Sequence, residues 1–208
     1  MSLSAEFVAM ADALVVVDVQ KALMSGPHAV PDHVRLEKAI RVLLDRARFT
    51  GVPIIFLQND GDLGSPDEPG QPGWELFFEL HDGDFVLAKD KDDGFDGTGL
   101  DAVLTKHRVF SVAICGLLSE MCVAATARAA MQRGYRVLIP HDAHATYDVP
   151  PGPGGLEMVP AKLAARAAEW SLGERAIIVP SAMALDFSPS EYALFDMADF
   201  ESSITMSG

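Results

Sequence analysis

Six short apolar runs alternating with helix-period segments predict an α/β domain, with a parallel sheet covered by helices on both faces. The runs are continuous rather than alternating, Ala13-Leu-Val-Val-Val-Asp18 most clearly, as strands buried from both sides should be. A chain of 208 residues, 49% of them hydrophobic, suffices for one such domain, and no Pro/Gly/Ser-rich linker divides it.

Taken in order, the first strand is Ala13–Asp18. Asp32 to Thr50 places Val34, Ala39, Val42, Leu43 and Ala47 on one face, a helix stopped by Gly51. Pro53–Gln58 reads as the second strand, followed by a long Gly/Pro/Asp loop to Pro72 and an aromatic patch at Trp74–Leu80. Asp84–Lys89 is the third strand and Leu100–Thr105 a short helix. Val109–Cys115 is the fourth strand, and a helix over Met121–Arg133 follows, with Ser119 as its expected N-cap. Tyr135–Pro140, a helix over Leu156–Ser171 and Arg175–Pro180 complete the pattern. Residues 188–208 read as an acidic C-terminal extension, partly ordered around Tyr192, Leu194 and Phe195.

The formal charge of −14 argues against nucleic acid and anionic membrane as partners, leaving a small-molecule substrate. No apolar run reaches membrane-spanning length and no signal-peptide pattern opens the chain. Two cysteines make no disulfide framework, so a reduced, cytoplasmic protein is expected.

In parallel α/β sheets ligands bind beyond the carboxyl ends of the strands. Asp18 ends strand one, Lys89 ends strand three and Cys122 follows strand four. A carboxylate after four apolar residues is costly unless it is paired or at work. Spacing alone does not separate Lys89 from Lys91. Cys122 is either a small buried hydrophobe or a thiol whose pKa the helix start lowers. Cys115, mid-strand, belongs to the core.

The run Cys115-Gly-Leu-Leu-Ser-Glu-Met-Cys-Val-Ala-Ala-Thr-Ala-Arg-Ala-Ala-Met-Gln-Arg-Gly-Tyr135 resembles the signature of the isochorismatase-like cysteine hydrolases. Val17-Asp18-Val19-Gln20 is similar to that family's Asp-x-Gln opening, Lys89 with Phe95-Asp-Gly-Thr98 to its lysine motif, and His141-Asp-Ala-His-Ala-Thr146 to its Asp-Ala-x-x-Thr. The resemblance covers residues 12–185 and favours Lys89 over Lys91. It implies a three-layer αβα sandwich with a six-stranded, mainly parallel sheet in the order 3-2-1-4-5-6.

It also implies a catalytic Asp18–Lys89–Cys122 triad that cleaves a C–N bond of a small amide, imide or lactam through a Cys thioester. A cis peptide maps onto Leu117–Leu118, with the N–H groups of Leu118 and Cys122 as oxyanion hole. Gln20, Trp74, Phe95, Leu117, Glu120 and His144 are candidates for substrate contact. Relatives that act on nicotinamide hold a metal through Asp and His after strand two. Gln58-Asn-Asp-Gly-Asp-Leu-Gly-Ser65 lacks those ligands, with no His between His33 and His81, so neither metal nor cofactor is expected. Glu120, Asp92 and Asp93 place negative charge at the mouth and suggest a cationic substrate. The alternatives are hydrolysis of the vinyl ether of isochorismate, which relatives perform without the cysteine, and a non-catalytic binding module. The family also implies a homo-oligomer, dimer or tetramer, for which the Ala-rich faces at Ala124–Ala130 and Ala161–Ala168 would permit close helix contacts.

Overall fold

The computed structural model describes residues 9–190. Its central sheet contains β1 (Ala13–Val17), β2 (Ile54–Asn59), β3 (Phe85–Lys89), β4 (Ser111–Leu117), β5 (Arg136–Pro140) and β6 (Ala176–Val179), ordered β3-β2-β1-β4-β5-β6. Every pairing along this path is parallel. A seventh strand, the two residues His144–Ala145, pairs with Gly116 and Leu117 of β4, so the six-stranded expectation is short by one. A second small parallel sheet joins Ala9–Ala11 to Leu185–Phe187.

Side-chain alternation shows why the strands are apolar throughout. Leu14 and Val16 of β1 point into one core, while Ala13, Val15 and Val17 point into the other. The first core is closed by α1 (His33–Thr50) and the second by α2 (Leu100–Lys106) and α3 (Ala124–Gln132). Helix α1 buries Leu36, Ala39, Ile40, Leu43, Leu44 and Ala47, so Val34, expected on that face, is instead exposed. Gly51 ends it at φ 72°, the left-handed cap that glycine adopts without strain.

Two helix starts differ from expectation. Helix α4 runs over Ala161–Ser171, not from Leu156, because Val149 and Val159 bridge antiparallel and Pro160 precedes its first turn. Ahead of α3, residues Ser119–Val123 form a wide turn in which Met121 leaves helical geometry (φ −102°, ψ −106°). Leu118, not Ser119, takes the capping position. Most alanines of these faces on α3 and α4 (Ala124, Ala127, Ala129, Ala130, Ala161, Ala164, Ala165, Ala168) are buried within this chain, while Ala125 is half-buried and Ala167 exposed. Tyr192, Leu194 and Phe195 lie outside the described residues.

Candidate active site

Three parallel strands deliver three chemical groups to one point: β1 and β4 lie side by side, and β2 separates β3 from β1. Asp18 follows β1 with φ 51°, a left-handed conformation rare for residues other than glycine. The backbone around it is pinned: its N–H donates to Leu57 O at 3.0 Å and its carbonyl accepts from the Gln20 N–H at 2.9 Å. Lys89, the last residue of β3, places Nζ 2.8 Å from Asp18 Oδ2 and 3.4 Å from Cys122 Sγ. The same ammonium reaches Asn59 Oδ1 at 3.3 Å and Lys91 O at 3.1 Å, so it is held by fixed acceptors in a buried position. Cys122 is half-buried, with Sγ 3.5 Å from Asp92 Oδ1. Asp18 Oδ1 is buried and has no hydrogen-bond partner in the protein, which leaves an acceptor for a thiol proton or a water.

Gly116 makes the convergence possible. It adopts φ 122°, and a Cβ there would stand 2.1 Å from Val17 O. Only a residue without a side chain lets β4 lie against the end of β1, one residue before Asp18. The next peptide but one, Leu117–Leu118, is cis, as the family resemblance implied. Leu118 O then accepts from the N–H groups of Met121 and Val123, closing the turn that carries Cys122. Among the described residues the Leu118 N–H finds no protein acceptor. Ser119 caps nothing, because its hydroxyl lies 2.8 Å from His144 Nδ1.

The electrostatics follow from burial. Removal from water pushes the Asp18 carboxyl up to about 6, against the lowering pull of Lys89. Burial by itself would lower Lys89, but the Asp18 carboxylate and then the Cys122 sulfur raise it, so it stays charged. The thiol of Cys122 is raised, first by burial and then by the Asp18 charge, with Lys89 pulling the other way. The lowered thiol pKa expected from the helix start is therefore not what this setting produces. At neutral pH the carboxylate is ionised, the sulfur keeps its proton, and one buried ammonium holds them together.

The remaining candidates separate. Gln20 is fully buried and its carboxamide is occupied: Nε2 donates to Asn59 O and Trp74 O, and Oε1 accepts from the Asn59 N–H. The Trp74 indole N–H donates to Asp60 Oδ1 at 2.8 Å, tying the loop to the end of β2. Phe95 is buried in the second core, stacked on Tyr135 and covered by the Arg133 guanidinium 4.5 Å from its ring. Leu117 is wholly buried. Glu120 is exposed and accepts from Thr146 Oγ1 at 2.8 Å. His144 is buried between Ser119 and Glu169. Asn59 and Glu169 were not singled out from the sequence, and Ser119 only as a helix cap. An Asn at a strand end, a Ser in a turn and one acid on a helix carry no signal of their own.

The loop after β2 does not fit a divalent metal. Asn59 Nδ2 and Ser65 Oγ donate to Asp67, Asp60 holds the Trp74 indole, and Glu68 accepts from the Gly64 N–H, so the acids serve the loop itself.

A thiol, a carboxylate and an ammonium gathered at the strand ends of this doubly covered sheet define the class, the cysteine hydrolases. Residues 12–165 match the isochorismatase domain, and the chain belongs to the isochorismatase family. Two streptothricin hydrolases of Streptomyces noursei are 53% and 52% identical to it, over 85% and 84% of this chain and 71% and 64% of their own lengths. A solved isochorismatase from Pseudomonas putida KT2440 superposes with a TM-score of 0.77 at 27% identity, covering 89% of this chain and 94% of that one. N-carbamoylsarcosine amidase from Thermoplasma acidophilum does so at 0.66 and 26% identity, over 82% and 95%. Among the described residues no helix is long and apolar enough to cross a membrane.

Proposed function

We propose that this hydrolase cleaves the C–N bond of a small amide, imide or lactam through Cys122, without a metal in the reaction. The observation that carries the proposal is the position of Lys89 Nζ, 2.8 Å from the Asp18 carboxylate and 3.4 Å from the Cys122 sulfur. Asp18 takes the thiol proton as sulfur attacks the carbonyl carbon, and Lys89 offsets the charge on both groups throughout. The oxyanion forms toward the N–H groups of Leu118 and Cys122. Asp18 returns the proton to the leaving nitrogen and a thioester remains. Water then gives a proton to Asp18 and attacks the thioester, and the departing sulfur recovers that proton. Gln20 and Trp74 act by fixing the loop beside Asn59, since the Gln20 carboxamide is already occupied.

Asp92 beside the sulfur and the exposed Glu120 favour a substrate carrying a cationic group near the scissile bond. The similarity to streptothricin hydrolases makes a streptothricin the first compound to assay. Purified protein is expected to hydrolyse it, and to prefer cationic over anionic members of a matched amide series. Acid-quenched samples should show an acyl adduct on Cys122 by intact mass. Cys122→Ser should lower turnover by roughly 10⁴-fold or more. Turnover that survives this change, or no adduct and no turnover across amides, imides and lactams, would refute the assignment.

A further inference from the structure

His141, in the turn after β5, His144, on the short seventh strand, and Glu169, on α4, meet beside Ser119. We infer that these three side chains bind one divalent transition-metal ion of the zinc type. Glu169 Oε1 lies 2.5 Å from His141 Nδ1 and 2.9 Å from His144 Nε2, and the three potential donor atoms all fall within 4.8 Å of one another. Metal–ligand bonds of about 2.0–2.1 Å in a tetrahedral site set donors roughly 3.3 Å apart. The carboxylate therefore has to withdraw from the two rings by less than about an ångström, and the two ring nitrogens, which lie within 4.8 Å of each other, have to close by up to roughly 1.5 Å. Two imidazoles and one carboxylate with a fourth position open are a donor set suited to zinc, cobalt or nickel, not to magnesium or calcium.

The surroundings support an ion more than a bare hydrogen-bond knot. The Glu169 side chain is 2% exposed, and its nearest formal cation, the largely exposed Arg166, stands 3.5 Å from Oε2 and leaves Oε1 to the two rings. Both histidine backbones are fixed, because Arg35 donates to His141 O and His144 O. The half-exposed His141 ring gives an ion its way in, while His144 is closed off.

Ser119 completes the outer shell through His144 Nδ1. A neutral His144 ring that gives its Nε2–H to the Glu169 carboxylate accepts the Ser119 hydroxyl at Nδ1. With metal on Nε2, the ring proton moves to Nδ1 and the bond to Ser119 reverses, with no net proton lost from His144. Ser119 directly follows Leu118, so the ion would brace the turn that carries Cys122 without entering the chemistry.

The test uses the full-length chain, stripped by a chelator and titrated with Zn²⁺ in a calorimeter and with Co²⁺ by visible absorption. One ion per chain is expected, with tetrahedral Co²⁺ bands and no thiolate charge-transfer band. Cys122→Ser should leave this binding intact although it removes hydrolysis. His141→Ala, at a half-exposed position, and the isosteric Glu169→Gln should each weaken it beyond the roughly 10- to 100-fold that an outer-shell loss costs, with circular dichroism confirming the fold. No saturable uptake, or uptake that vanishes in Cys122→Ser and survives His141→Ala, would overturn the inference.

Discussion

At the scale of single residues, the Asp18 carboxyl sets the pH response. A buried acid raised to about 6, from an unfolded value near 3.9, is more readily neutral in the fold than in the free chain. Its contribution to stability is therefore full below about pH 4 and is lost as pH rises through about 6. The base that the proposed mechanism requires appears over that same interval. kcat/KM should rise with an apparent pKa near 6 and then level off, whereas thermal stability contributed by this group falls. Asp18→Asn should remove the limb along with the activity. Lys89→Met takes away the charge that pulls Asp18 down, so any residual activity should show its limb shifted upward by on the order of one unit or more. An unshifted limb would assign the ionisation to another group.

At the scale of elements, the site depends on how closely β4 can approach β1. Gly116→Ala puts a methyl 2.1 Å from Val17 O and 2.8 Å from Val17 N, contacts with backbone that no rotamer relieves. A loss of at least about 3 kcal/mol of stability, or failure to fold, is expected from denaturant melts. A variant of near-native stability would show that β1 and Asp18 can shift. The six main strands were legible because each is a continuous apolar run, and their order came with the family motifs. The seventh was not: His144–Ala145 is too short for any period and contains an ionisable residue. The start of α3 was misread for a related reason. Ser119 has the chemistry of an N-cap, yet its hydroxyl belongs to His144, a contact 25 residues away that local sequence does not reveal. Strand ends drew attention to Asp18, Lys89 and Cys122, but the choice of Lys89 over Lys91, and of a working thiol over a buried hydrophobe at Cys122, came with the family motifs; the Gln20 and Trp74 contacts, made through the backbone of a long loop, were not deducible.

At the scale of the whole molecule, the burial of the alanine faces moves the expected subunit contact elsewhere. On α4 Ala161, Ala164, Ala165 and Ala168 turn inward, and Leu163 and Trp170, seven residues apart on the same side, are left 53% and 78% exposed. Leu156 and Met158, in the segment leading into α4, are exposed as well. A monomer seldom leaves large apolar side chains grouped in this way. A net charge of −14 opposes association at long range, but salt screens it beyond about 8 Å, whereas apolar contact acts only once surfaces meet. We propose self-association through the outer side of α4; light scattering after gel filtration should then give a dimer or tetramer that grows no weaker at high salt. Trp170→Glu should yield monomers that retain the fold, since the indole makes little contact within its own chain. A monomeric native protein, or an assembly indifferent to Trp170→Glu, would place any interface on another face.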